Sequence, residues 1–287
     1  MPTINEPQLY VPKSVEDALA ALDDSGTRVI AGATWILRST LRREAFGPRY
    51  VAIGEIPELK AIDVREDAVR IGAAATHTEI ADRLQGFADL KSIRDAAAKS
   101  ANPAIRGVAT IGGNLCAFDF PAPDLTTALL SLSAEIELTI DRRPVRISIE
   151  RFLQIRSELP AASLLRAVHI ERTVRHTAHV RLPLRVAGDY PVAIVSLSVS
   201  PADAKVRSVV AAIGSVENTP SRWTMVEQYF LENPLDNEVA KTVALGCVDQ
   251  FNGRDSAEAP GWYRTSVLPV LLQRAVIDIE NQRQTNC

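Results

Sequence analysis

Pairs of short strands followed by helices, never in a regular strand–helix–strand rhythm, constrain this chain more than any other feature. Ile62 and Val64 alternate before the polar turn Arg65-Glu66-Asp67, and Val69 and Ile71 alternate after it, so residues 61–73 predict a hairpin. A second hairpin is predicted from Glu135–Ile140 and Val145–Ile149 across Asp141-Arg142-Arg143. Two long strands, Val192–Val199 and Val206–Gly214, flank a Pro-Ala-Asp-Ala turn, and helices near 223–231, 236–250 and 262–280 close the chain. Nearer the start, Ser14-Val-Glu-Asp17 opens a helix through Leu22, Arg28–Ala31 is a short strand, and a helix begins near Trp35. Helices also follow from Thr78 and over Leu90–Ser100, and Ser163–Val180 is an interrupted strand. The pattern is α+β, with a domain boundary near 172–178.

Composition excludes more than it identifies. A 46% hydrophobic, 23% charged chain of 287 residues has the apolar material for buried cores. A net charge of −3 gives no global reason to bind nucleic acid or an acidic membrane. The longest stretch without a charged residue, Tyr190–Ala202, is too short to span a bilayer. The first ten residues have neither the basic nor the apolar region of a secretory signal. Cys116, Cys247 and Cys287 are too dispersed for a disulfide framework or a metal knuckle, and a reducing, cytoplasmic compartment is the expectation.

Two loops stand out. In Ala109-Thr-Ile-Gly-Gly-Asn114, adjacent glycines let a backbone turn sharply and bring N–H groups to a ligand oxygen, with Thr110 and Asn114 adding side-chain donors. Gly107 and Gly112 have the outer spacing of a phosphate-binding P-loop, but Gly113 and Asn114 replace its Lys and Ser/Thr. The second loop is Val29-Ile-Ala-Gly-Ala-Thr-Trp-Ile36, a strand running into a tight turn. Each alone reads first as an ordinary corner, whereas the pair raises the odds of one shared ligand without settling its identity. The four histidines make no metal pattern, and His176 and His179, beside Arg172, Arg175 and Arg181, read as a solvated or subunit-facing basic edge. Asp119 and Asp124 read as an acid/base pair or as loop caps.

At these loops the sequence resembles the medium, FAD-binding subunit of the molybdenum-containing hydroxylases, the group of xanthine, carbon monoxide and nicotinate dehydrogenases. The family's AGGxxLL-like loop corresponds to Ala31–Leu37, its NPxIRxxxTIGGNL block to Asn102–Leu115, and its IGAxxTxxEI segment to Ile71–Ile80. Gly188-Asp-Tyr-Pro and Trp262-Tyr-Arg264 follow in the family's order. The resemblance implies a two-lobed FAD-binding domain of the vanillyl-alcohol-oxidase (PCMH) type over 1–174, with sub-lobes about 1–57 and 58–174. A smaller α+β domain of the CO dehydrogenase flavoprotein C-terminal type would follow over 175–287.

By the same resemblance, Val29, Ile30, Ala31, Gly32, Ala33, Thr34, Trp35 and Ile36 would grip the FAD diphosphate together with Thr110, Ile111, Gly112, Gly113 and Asn114. Thr76 would lie near the flavin, Asp124 would meet the ribityl or phosphate-proximal region, and Arg181 would stand where the family has a lysine at the flavin's polar edge. Three positions depart from the family. Ala33 replaces a second glycine, Trp35 a smaller or polar residue, and Phe120 is an extra residue before Asp124. The implied partners are a large molybdopterin-binding subunit and a small subunit with [2Fe–2S] clusters, in a dimer of heterotrimers. The implied role is electron transfer through FAD to NAD, a quinone or oxygen. The alternatives are a structural subunit that has lost its flavin and an independent flavin oxidase.

Overall fold

The computed structural model describes residues 7–184, 190–201 and 206–285. Its strands are β1 (Gln8–Tyr10), β2 (Thr27–Ile30), β3 (Arg49–Ala52), β4 (Ile62–Val64), β5 (Ala68–Gly72), β6 (Glu135–Ile140), β7 (Arg143–Ser148), β8 (Leu164–Glu171), β9 (His176–Pro183), β10 (Pro191–Pro201), β11 (Val206–Gly214) and β12 (Ser221–Arg222). The chain forms two compact units. One comprises residues 1–80, 103–118 and 135–170, and the other residues 81–102, 119–134 and 171–287.

The first unit holds a three-stranded sheet, ordered β1-β3-β2, and a five-stranded sheet, ordered β4-β5-β8-β6-β7. Both predicted hairpins are here. β4 pairs antiparallel with β5, and β6 with β7 in a register that places Ile140 opposite Arg143. Only two residues lie between that last pair, and both Asp141 and Arg142 have positive φ, 48° and 61°. That conformation matches the right-handed twist of the strands it joins. Ser14 caps the helix Val15–Leu22 as the sequence predicts, its hydroxyl accepting from the Asp17 N–H at 3.0 Å. Val15, Ala18, Leu19 and Leu22 of that helix pack on Val51, Ile53, Ile56 and Leu59 in a buried cluster.

The second unit is built on the sheet β12-β11-β10-β9. Alternation divides its side chains between two faces. Ala178 on β9, Val195, Leu197 and Val199 on β10, and Ala211 and Ile213 on β11 join a core with Phe230, Ala240, Leu272 and Val276 from the carboxy-terminal helices. On β9 and β10 the opposite parity carries Thr177, His179, Ser196 and Ser198, which are also buried. Helices Lys91–Lys99 and Asp124–Ser131 pack with this sheet, so its middle strand is covered on both faces. Thr177 Oγ1 accepts the Ser92 N–H at 2.9 Å across the layer.

One expectation is revised, and two segments cannot be compared. The predicted helix 262–280 is divided into Gly261–Ser266 and Leu268–Thr285. Pro269 has no N–H to continue a helix and disfavours helical backbone at the residue before it, so it suits a helix's first turn and not its middle. The Pro-Ala-Asp-Ala turn, apart from Pro201, and Gly188-Asp189 lie outside the described residues.

An ion cluster joins two helices of this unit. Asp95 accepts from Lys91 Nζ at 3.0 Å, Arg94 Nη2 at 2.7 Å and Lys99 Nζ at 3.2 Å, while Lys91 also reaches Asp278 at 2.6 Å. Burial pushes the Asp95 carboxyl up, but the hydrogen bonds from Arg94 and Lys91 outweigh it and hold the group at about 2, against 3.8 when free. A depressed carboxylate stabilises the fold above its unfolded value and loses that contribution as pH falls through the folded one. Asp95→Asn should therefore cost about 2 kcal/mol at neutral pH. Urea unfolding of variant and parent should show that difference shrinking between 3.8 and about 2.

Candidate functional site

The first loop leaves β2 at Ala31 and enters a 3₁₀ helix, Ile36–Arg42, and not the α-helix expected from Trp35. No side chain caps its start, and Arg43 at φ 62° ends it. An uncapped turn with Ser39 and Thr40 in its body has little to propagate an α-helix. Two features of the turn matter. A Cβ on Gly32 would lie 1.7 Å from the Val108 carbonyl oxygen, so the first loop crosses the approach to the second in direct backbone contact. Next to it, Ala33 holds φ at 59°, the left-handed region that glycine occupies at no cost. Among the described residues, the N–H groups of Gly32, Ala33 and Thr34 have no hydrogen-bond partner, whereas the Ala33 carbonyl accepts from Leu37 at 2.9 Å. Three successive amides on a left-handed turn form a concavity suited to anionic oxygen.

Trp35 packs locally. The Arg42 guanidinium sits 4.0 Å from the centre of its ring, donates to the Trp35 carbonyl at 3.1 Å, and is fixed by Glu44 at 3.0 and 2.7 Å. The ring is a platform for a paired arginine.

The second loop behaves differently from its sequence reading. Thr110 caps the short helix Ile111–Cys116, and its hydroxyl accepts the Gly113 N–H at 3.1 Å. The amides of Ile111 and Gly112 donate to the carbonyls of Ala75 and Ala73 at 3.0 and 2.8 Å, and that of Asn114 to Thr110 at 3.0 Å. All four are committed within the protein, so the glycines here do not serve to aim N–H groups outward. A Cβ on Gly112 would come within 2.7 Å of the Ala73 carbonyl oxygen, and close packing is what that glycine provides. Thr76 forms a β-bridge with Thr110 and caps the helix His77–Arg83. Its N–H donates to Glu79 at 2.8 Å and its hydroxyl accepts the Glu79 N–H at 3.2 Å. The Thr-x-x-Glu of the IGAxxTxxEI segment is thus a capping box.

Asp124 and Arg181 meet in the second unit. Asp124 opens the helix Asp124–Ser131 behind Pro123, 2% exposed, and Arg181 Nε donates to its Oδ1 at 2.9 Å. Arg181 Nη1 donates to the Lys99 carbonyl at 2.7 Å. Phe120, the extra residue before this helix, packs edge-on against Tyr190 at 5.2 Å between centroids.

The basic-edge reading of His179 is overturned. Its side chain is fully buried, with Nε2 3.2 Å from Asp124 Oδ1 and Nδ1 2.7 Å from Ser196 Oγ. The signal in the sequence was parity. Thr177, His179 and Arg181 alternate with Ala178, Val180 and Leu182, which places the histidine on a covered face. Arg172 pairs with Asp89 at 2.9 Å and Arg175 donates to the Leu132 carbonyl at 3.4 Å, so these cations too are engaged. Arg264 of the Trp262-Tyr-Arg264 segment is 1% exposed and donates to the carbonyls of Val192 and Ser215 at 2.7 and 3.1 Å, a structural staple.

A glycine-bearing turn with amides that lack partners among the described residues, set against a second glycine loop, is a geometry suited to anionic oxygen. Residues 5–172 match the family model of the FAD binding domain in molybdopterin dehydrogenase, and residues 178–279 match the CO dehydrogenase flavoprotein C-terminal domain. The chain therefore belongs to the FAD-binding subunits of the molybdopterin dehydrogenases, and it is an oxidoreductase subunit. It is 28% identical to the carbon monoxide dehydrogenase medium chain of Afipia carboxidovorans, covering 92% of this chain and 93% of that one. The nicotinate dehydrogenase FAD-subunit of Eubacterium barkeri is 23% identical, with 98% of each covered. In structure, it superposes on a chain of reconstituted CO dehydrogenase from Oligotropha carboxidovorans with a TM-score of 0.87 at 26% identity, covering 96% and 98% of the two.

The two neighbouring positions of the first loop should respond oppositely to substitution. Ala33→Gly relieves left-handed strain and should raise stability by about 1 kcal/mol after the extra backbone entropy of glycine. Gly32→Ala drives a methyl into the Val108 carbonyl and should cost at least about 2 kcal/mol. Denaturant midpoints moving in the same direction for both would contradict this geometry.

Proposed function

We propose that the chain holds FAD and passes electrons from [2Fe–2S] clusters of a small subunit to NAD, a quinone or oxygen, within a complex whose large subunit carries the molybdopterin cofactor. When bound, FAD supplies the redox chemistry, and the protein supplies binding, orientation and electrostatics. The observation that carries the reading is the row of unpartnered amides at Gly32, Ala33 and Thr34, which suits a diphosphate without requiring a lysine. In this reading Val29, Ile30, Ala31, Trp35 and Ile36 extend the first wall. Thr110, Ile111, Gly112, Gly113 and Asn114 form the second through packing and shape, with Thr76 alongside. Asp124 and Arg181 are carried as flavin-facing residues.

The assembly that fits the relatives' names is one of large, medium and small chains, and a dimer of such heterotrimers in the cytoplasm is the form proposed. Among the described residues no helix is long and apolar enough to cross a membrane.

The test is the visible spectrum of the purified chain, with the acid-released chromophore identified by chromatography. Near-stoichiometric FAD is expected. Ala33→Asp keeps a residue that tolerates left-handed backbone but adds a carboxylate at the amide row, and should weaken FAD binding about tenfold or more. A colourless chain that stays colourless after reconstitution with excess FAD would favour the flavin-free structural subunit.

A further inference from the structure

The chain's three tryptophans have three environments. Trp223 is fully buried, Trp35 is half-buried, and Trp262 is 72% exposed. The Trp262 ring meets that of its neighbour Tyr263 edge-on, at 5.7 Å between centroids. An indole left in water forgoes one of the largest apolar burials a side chain can make. Trp, Tyr and Arg are also the residues that most often anchor protein interfaces.

The backbone beneath Trp262 is braced within the second unit. A Cβ on Gly253 would lie 2.1 Å from the Gly261 carbonyl oxygen, and one on Gly261 2.0 Å from that of Gly253, so two stretches of chain cross in direct contact. The Gly261 N–H also donates to Asp255 Oδ1 at 2.7 Å. From the buried side, Arg264 Nε donates to the Arg254 carbonyl at 3.0 Å and Nη2 to the Ser256 hydroxyl at 2.7 Å. Arg254 and Trp262 each lie one residue from the crossing, so both side chains leave from one preorganised patch.

The Arg254 guanidinium has no such engagement. It makes no hydrogen bond to another of the described residues, and its Nε is enclosed. The loop's own carboxylates are occupied, Asp255 by the Gly261 N–H and Glu258 by the Ser256 hydroxyl. Burial first, and then the neighbouring Arg264 charge, pull Arg254 down to about 10 from 12.5. An enclosed donor and a repelled charge both cost free energy, which an opposing carboxylate would offset.

We propose that Trp262 and Arg254 anchor a protein–protein contact, the indole entering an apolar recess of another chain of the complex and the guanidinium forking onto a carboxylate beside that recess. The occupant follows from charge. The group without a partner on this surface is a half-enclosed cation, and a planar carboxylate is what its terminal nitrogens match. The contact rests on the assembly of large, medium and small chains proposed above.

The experiment co-expresses the full chain with the large and small chains and reads its dissociation constant from the complex, alongside the thermal midpoint of the chain alone. Trp262→Ala should weaken assembly about thirtyfold and Arg254→Gln about tenfold, the range of interface anchors. Arg254→Lys keeps the charge and loses the fork, so it should fall between the parent and Arg254→Gln. Neither side chain belongs to the buried core. Trp262→Ala should therefore hold the thermal midpoint of the isolated chain, and Arg254→Gln should hold or raise it by removing repulsion from Arg264. Unchanged assembly in both variants, or a loss that follows a lowered midpoint of the isolated chain, would overturn the proposal. So would a parent chain that dimerises alone through these residues. A parent chain that forms no complex would instead sink the assembly on which the contact rests.

Discussion

The crossing at Gly32 is the constraint from which the amino-terminal site follows. Because the backbone there touches the Val108 carbonyl oxygen, no side chain fits between the two loops, and each determines the position of the other. Beside it the turn takes the left-handed conformation at Ala33, and the amides of Gly32, Ala33 and Thr34 have no partner among the described residues. The second loop, committed through its own amides to Ala73, Ala75 and Thr110, is the rigid body against which the first is set. Rigidity in one loop and unsatisfied donors in the other is a sound division of labour, since donors that need no reorganisation bind anions at the least cost.

The family departures are absorbed locally. Alanine is the smallest residue with a Cβ to accept the left-handed turn, Trp35 is stacked beneath a paired arginine, and Phe120 packs on Tyr190. None of them displaces Asp124, whose carboxylate remains buried and bonded at the head of its helix. The departures therefore supply little structural motive for a lost cofactor.

Most of the fold was legible because its signals are local. The two hairpins follow from period-two alternation around polar turns, and the Ser14 helix from its cap. The glycine pair was legible as an unusual corner, but not for what it does. The amides of Ile111 and Gly112 find partners thirty-odd residues away in sequence, at Ala75 and Ala73, and no local pattern reports such a pairing. His179 was misread for a related reason. Nearby arginines made its neighbourhood look solvated, whereas strand parity, with apolar residues on one side and Thr177 and Arg181 on the other, places it between a sheet and a helix layer. Burial on both faces depends on elements from distant parts of the chain, and such burial cannot be seen in a single strand.

The composition of the second unit carries a consequence for how the protein is made. Its sheet comes from the last part of the chain, yet the helices Lys91–Lys99 and Asp124–Ser131, packed with that sheet, come from the first half. All eight residues of the later helix are buried in the finished fold. During synthesis both helices leave the ribosome well before β9, β10 and β11 exist, and their apolar faces must wait for them. The nascent chain thus carries an unfinished layer through much of its translation, the circumstance in which chaperones and premature aggregation compete for a protein.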